Sequence, residues 1–324
     1  MPSPYVGLKN QGATCYMNSF MQQLYMVPSF REGILSVRMP VLVVNCIQQN
    51  AAEAELKEDL VHQLQQMFVY LKISQKKFYD TMPFCGAIKD YEGRAINLGE
   101  QRDCNEFAGQ IFDLLETALR STAQKSILDD TFRGTLAHQM ISRECTHTSS
   151  RTEPFYMLSV TVQNKKSLEQ AMGLLVEGEL LDGDNKYMCS ECKTKVAALK
   201  TTCLNELSPY LILHLKRFEF DFDAMKKHKI NDYFEFPMKL NVEPFTKEVL
   251  TMDGGGTIVS VPQWYSDDYY TYHLVGILIH TGIADAGHYY SYIKNENSDE
   301  WSEFNDTNIR PFDTSAIPYW CFGG

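Results

Sequence analysis

The period of the hydrophobic positions changes partway along the chain. From Cys15 to Tyr25, Met17, Phe20, Met21 and Leu24 recur at helical spacing. Gly12 and Thr14 stand where a turn and a cap belong, and Pro28 is the expected stop. Residues 53–72 predict the clearest helix, with Leu56, Leu60, Leu64, Met67, Phe68 and Leu71 on one stripe and Glu, Lys and Gln opposite. Residues 103–119 predict another, with Phe107, Ile111, Leu114, Leu115 and Leu119 inward. Beyond about residue 125 the runs become short and β-prone, as in Tyr156 to Val162. A short helix is expected over 167–179. Strands are expected within 196–222, with Tyr210 to Leu215 as a buried one, and over 272–280 and 287–294. The glycine run at 254–256 marks Met252 to Asp268 as a surface insertion. Helices first and then an antiparallel sheet predict an α+β fold.

Composition narrows the class. Hydrophobic residues make up 44% and charged residues 22% of 324, which is ordinary for a soluble globular protein. No apolar run reaches the ~18–20 residues of a membrane span, and the N-terminus has no signal-peptide pattern. Nine cysteines without even spacing argue for a reducing compartment, hence a cytoplasmic or nuclear setting. A net charge of −11 disfavours nucleic acid and anionic membrane and favours a basic partner.

Cys15 is the sharpest chemical candidate. A thiol at a helix start sees the positive end of the macrodipole, which favours the thiolate. Cys46, Cys85, Cys104, Cys203 and Cys321 lack that setting and read as structural. A thiolate needs a base, and the base an orienting partner. Among eight histidines, His288 stands out: Gly287 allows close approach of a substrate chain, and a β-prone run holds the ring behind. His280 is its competitor. Downstream, in Trp301-Ser302-Glu303-Phe304-Asn305-Asp306, either Asn305 or Asp306 can accept the imidazole N–H.

Five blocks in order resemble the ubiquitin-specific proteases, a papain-like family of deubiquitinating enzymes. They are Gly7 to Ser19 (the cysteine box), Gln101 to Phe107, His214-Leu215-Lys216-Arg217-Phe218, Gly282 to Tyr292 (the histidine box) and Trp301 to Asp306. The ending Cys321-Phe322-Gly323-Gly324 resembles the very large, fat-facets-type members. The resemblance implies one catalytic domain over 1–324, with a thumb (1–125), fingers (126–155 and 181–206) and a palm (156–180 and 207–324). It also implies a further palm strand beyond this sequence, so that the chain is expected to be a monomeric part of a longer protein. The implied activity is hydrolysis after the C-terminal glycine of ubiquitin, on ubiquitin and ubiquitinated proteins, through a Cys15 thioester. His288 is the implied base, Asn305 with Asp306 the orienter, and Asn10 the oxyanion donor. Asp103 and Glu106 match positions facing ubiquitin's arginine-bearing tail, while Gly287 would leave room for a narrow Gly-Gly channel that Tyr289 would wall. Catalysis needs no cofactor. A structural zinc is implied in the fingers, where the family has four cysteines; here Ser142 replaces the first, leaving Cys145, Cys189 and Cys192 with His147 nearby.

Overall fold

The computed structural model describes residues 4–38, 59–90, 92–221, 225–247, 266, 268–284 and 286–323. Its contacts divide the chain into two compact units. The first holds Met1–Leu128, Phe220–Lys229 and Val275–Cys321, and the second holds Asp129–Glu219, Ile230–Leu274 and Phe322–Gly324. No helix among the described residues is long and apolar enough to cross a membrane.

The first unit opens with β1 (Gly7–Leu8), which pairs in parallel with β2 (Phe78–Tyr79). Helix α1 (Cys15–Tyr25) forms where its apolar spacing predicts. Pro28 does not simply stop it. The residue begins a second helix, α2 (Pro28–Ser36), because the first helical turn needs no N–H from its opening residues. Val27 before it is extended, as a residue preceding proline must be. Helix α3 (Leu60–Ile73) starts at the Asp59 cap, whose carboxylate accepts the His62 N–H at 2.8 Å. Leu56 and the rest of the expected N-terminal stretch lie outside the described residues. Helices α4 (Met82–Ala87) and α5 (Cys104–Leu119) complete this part. Aromatic edges lock it: Tyr16 meets Phe107 at 5.2 Å and Phe20 meets Phe112 at 5.8 Å between ring centroids. On α5 the buried stripe takes Phe112, and Leu114 is only half-buried.

The second unit is built on an antiparallel sheet. Strand β3 (Gly134–Ser142) pairs with β4 (Thr148–Phe155). Strand β5 (Met157–Thr161) and helix α6 (Leu168–Val176) follow, then β6 (Glu179–Leu181) and the small hairpin β7 (Tyr187–Met188) with β8 (Lys195–Val196). Strand β9 (Ala198–Glu206) lies between β3 and β6, giving the order β4-β3-β9-β6. The expected buried strand at Tyr210 begins only at Ile212, as β10 (Ile212–Lys216), and is half-buried. Upstream of it the Tyr210 N–H is drawn to the Thr131 carbonyl at 3.0 Å instead of a ladder partner. Strand β10 pairs in parallel with β5, so the β structure is not antiparallel throughout. Strands β11 (Lys239–Asn241) and β12 (Thr271–His273) pair, and Leu158, Val160, Val162, Met172, Phe234 and Val242 fill the core. The expected insertion at Met252 to Asp268 lies outside the described residues except for Ser266 and Asp268.

The chain returns to the first unit as a meander of β13 (Gly276–Ile283), β14 (Ala286–Lys294), β15 (Trp301–Asn305) and β16 (Asn308–Phe312). The single strand expected over 272–280 is therefore two, since β12 ends at His273 and β13 begins at Gly276. Helix α1 is tied to the meander where the Ser291 hydroxyl on β14 donates to the Ser19 carbonyl at 3.1 Å.

Candidate active site

All the residues expected to do chemistry on a thioester fall in the first unit. Cys15 is the first residue of α1, and the opening N–H groups of a helix have no intrahelical carbonyl to bond. The cysteine is 3% exposed, and its thiol acts on the His288 imidazole. Facing Ser291 and Phe304 set the register of β14 and β15. One more step in that register puts Asn305 opposite Tyr290, so His288 is its diagonal neighbour on the same face. That explains the 2.8 Å contact between His288 Nε2 and Asn305 Oδ1. Asp306 Oδ2 is 3.9 Å from the same nitrogen. The Cys15 thiol is the largest influence on the imidazole; with Asn305 it outweighs partial desolvation and raises His288 to about 9.

His280 is no alternative base. Its ring lies against Tyr289 at 4.6 Å between centroids, and burial pulls it down to about 4. The other described cysteines of the unit are equally set apart: burial pushes Cys85 up to about 11, Cys321 to about 12 and Cys104 upward as well, while Cys46 lies outside the described residues.

Asn10 lies in the turn before α1. Its Oδ1 accepts the N–H groups of Gly12 at 3.0 Å and Thr14 at 3.1 Å, and the Thr14 hydroxyl at 3.2 Å. Those bonds fix the amide so that Nδ2 donates to Asp306 Oδ2 at 3.0 Å. Asp306 itself adopts φ +50°, a left-handed conformation that Asp tolerates better than most residues.

Of the residues expected at the ubiquitin tail, Asp103 caps α5, its carboxylate accepting the N–H groups of Asn105 at 2.7 Å and Glu106 at 3.1 Å. Glu106 is exposed in the first turn. The Gly287 N–H donates to Gln101 Oε1 at 2.9 Å, and a Cβ on Gly287 would collide with His280 and the Thr281 carbonyl. Tyr289 is 4% exposed and packs behind this segment, against His280. Sequence reasoning quoted Gln101 and Asn18 within motifs without giving either a task. Gln101 bridges Gly287 and His280 Nε2, the latter at 3.3 Å, and Asn18 Nδ2 reaches Asp306 Oδ1 at 2.7 Å. Only the fold brings those partners together.

The second unit holds a separate cluster. The ligand atoms of Cys145, His147, Cys189 and Cys192 lie within 4.8 Å of one another. Cys145 stands in the turn from β3 to β4 and the Cys189/Cys192 pair in the turn from β7 to β8. Lys193 adopts φ +59°, which folds that pair back so that the Cys192 N–H points at Cys189 Sγ, 3.5 Å away. A tetrahedral zinc with bonds of ~2.3 Å to sulfur and ~2.0–2.1 Å to nitrogen sets its donors about 3.5–3.8 Å apart. Cys145 and Cys189 sulfurs are 3.9 Å apart, and His147 Nδ1 is 3.2 Å from Cys192 Sγ and 3.7 Å from Cys189 Sγ. The Ser142 hydroxyl at 3.0 Å lowers the Cys145 thiol to about 6, toward the form a metal binds.

A helix-borne thiol, an imidazole on the facing sheet and an amide behind it thus stand together in the first unit. The family model described as ubiquitin carboxyl-terminal hydrolase matches residues 6–320, and the chain belongs to that family. Among similar proteins, ubiquitin carboxyl-terminal hydrolase 34 of Homo sapiens is 34% identical over 99% of this chain and 9% of its own length. Ubiquitin carboxyl-terminal hydrolase 24 of Mus musculus is 35% identical over 99% of the chain and 12% of its own length. The probable ubiquitin carboxyl-terminal hydrolase FAF of Drosophila melanogaster is 33% identical over 99% of the chain and 13% of its own length. The chain thus spans 9% to 13% of these curated relatives. In fold it resembles the solved SAGA Ubp8/Sgf11/Sus1/Sgf73 DUB module bound to ubiquitin aldehyde. The TM-score is 0.76 and the identity 23%, over 98% of this chain and 67% of that one.

Proposed function

We propose that this chain is a deubiquitinating thiol hydrolase that cleaves the isopeptide or peptide bond after ubiquitin's C-terminal glycine. The observation that carries the reading is that Cys15, His288 and Asn305 come together within one unit of a family member, with Cys15 acting on the imidazole and His288 Nε2 2.8 Å from Asn305 Oδ1. Cys15 thiolate attacks the glycine carbonyl and its electron pair moves to oxygen, forming an oxyanion. The second N–H of Asn10 and the Cys15 backbone N–H stabilise that charge, each such donor contributing ~2.7–4 kcal/mol at the transition state. Collapse expels the lysine amine, which takes the proton from His288 Nδ1. His288 then draws a proton from water, hydroxide attacks the thioester, and ubiquitin leaves with a free carboxylate. Asn305 keeps Nε2 engaged, so Nδ1 is the nitrogen left to face Cys15. Asp306 assists by its charge and by holding Asn10.

The reading extends to the thumb, palm and fingers boundaries given above, and to a tail channel that includes Asp103, Glu106, Gly287 and Tyr289. The partners are ubiquitin and ubiquitinated proteins, met in the cytoplasm or nucleus. Cys145, His147, Cys189 and Cys192 would hold a structural zinc, which would pin two turns of the second unit and take no part in the hydrolysis.

Hydrolysis of a ubiquitin C-terminal fluorogenic amide by the chain and by Cys15→Ala tests the reading. Turnover that vanishes in the variant is expected. An inert wild type that is folded and still binds ubiquitin would instead make it a binding module.

A further inference from the structure

The carboxylate that holds Asn10 is itself held. Asn18, one turn after Cys15 on α1, is 2% exposed. Its Nδ2 donates to Asp306 Oδ1 at 2.7 Å and to the Leu8 carbonyl at 3.3 Å. Asp306 Oδ2 accepts from Asn10 at 3.0 Å, and the Asp306 carbonyl accepts the Leu8 N–H at 3.0 Å. Each carboxylate oxygen therefore has its own amide donor, one on the nucleophile's helix and one at the oxyanion position.

Two further observations indicate that Asn18 is present for its NH₂ group. Its Oδ1 is buried with no hydrogen-bond partner among the described residues. A buried acceptor left unpaired is destabilising, and an apolar residue at this position would avoid that penalty. Flipping the amide gives no relief, because Oδ1 would then face two acceptors, Asp306 Oδ1 and the Leu8 carbonyl.

We propose that Asn18 is a positioning residue of the hydrolase: by holding Asp306 Oδ1 it aims Oδ2 at Asn10 and so fixes the N–H that Asn10 offers the oxyanion. The inference rests on the function proposed above. It ties the oxyanion donor to the helix that carries the nucleophile, so that the two keep register through the reaction. Asn18 touches neither substrate nor His288, and acts through Asp306 and Asn10.

The experiment uses the whole chain as wild type, Asn18→Ala, Asn18→Asp and the exchange Asn18→Asp with Asp306→Asn. The kcat and KM are measured on the ubiquitin C-terminal fluorogenic amide, and the rate of Cys15 alkylation by iodoacetamide is measured across pH. Asn18→Ala should lower kcat about ten- to a hundred-fold, the scale of a misplaced catalytic contact, with KM held within about twofold. Its alkylation profile should match wild type, because Cys15 and His288 keep each other. Asn18→Asp should be worse, since two carboxylates then face one another. The exchange restores one donor and one acceptor in the opposite sense and should recover at least about tenfold over Asn18→Asp. A kcat for Asn18→Ala within about twofold of wild type would overturn the inference, as would alkylation and turnover falling together. If Asn18→Ala does not fold, the exchange decides alone, and no recovery overturns the inference. A wild type that alkylates normally but turns nothing over would overturn the hydrolase reading itself, which separates the two failures.

Discussion

His288 is where a single residue's surroundings decide the working pH. Its ordinary value would leave the ring mostly neutral at pH 7, but the Cys15 contact first, and Asn305 after it, raise it to about 9. The proton is bound below that value and lost above it. As pH rises through about 9, the group that must protonate the leaving amine disappears, so kcat/KM should fall on an alkaline limb centred near 9. In Cys15→Ala the largest raising influence is gone. Titrated by NMR, His288 should then drop by a unit or more, and a His288 still near 9 would show that Cys15 does not govern it. Cys15 and His288 were legible in sequence because each sits in a run whose small neighbours and helix or strand context suit its role. The tasks of Asn305 and Asp306 were not. The two are adjacent, and only the turn from β15 to β16 sends one carbonyl to His288 and the other side chain to Asn10 and Asn18.

Helix α5 begins at a residue that caps it and that is also expected at the substrate. Asp103 satisfies two orphan N–H groups at its start, and it is also a residue expected to meet ubiquitin's basic tail. The two roles separate by substitution. Asp103→Asn retains a capping oxygen and should keep the thermal midpoint, while Asp103→Ala should cost about 1 kcal/mol of stability. If the carboxylate meets an arginine of the tail, both variants should raise KM for the ubiquitin amide by a similar factor. Unchanged KM in Asp103→Asn would leave only the cap. At this scale the periodic helices were readable, since the described parts of α1, α3 and α5 bury the stripes that the spacing predicts, with Phe112 buried and Leu114 only half-buried on α5. The first helix ends before Pro28 as expected, but the second helix that Pro28 opens was not foreseen, because a proline after a helix is the same signal whether the chain leaves or begins another helix. The parallel pairing of β5 with β10 was not readable: the facing residues Ser159 and His214 are far apart in sequence, and no local period encodes a partner.

Taken as a whole, the molecule keeps its two chemical clusters in different units. Cys15, His288 and Asn305 lie in the first unit, while Cys145, His147, Cys189 and Cys192 lie in the second, on turns with little buried apolar surface of their own. Short hairpins such as β7 with β8 are marginal without a further constraint, and a metal that joins their turn to the β3–β4 turn supplies one. Metal analysis of the chain should therefore find about one zinc per molecule, the stoichiometry of a single four-donor site. Cys189→Ser should lose it and lower the thermal midpoint by several degrees. Ser142→Ala should retain the metal, because the serine hydroxyl touches Cys145 without being one of the four donors. In the metal-free variant, alkylation of Cys15 by iodoacetamide should proceed at the wild-type rate, since Cys15 and the four residues of the cluster belong to different units. Zinc in Cys189→Ser at wild-type content would mean that these four residues are not its ligands, and the cluster would then be a set of thiols held together by the two turns alone.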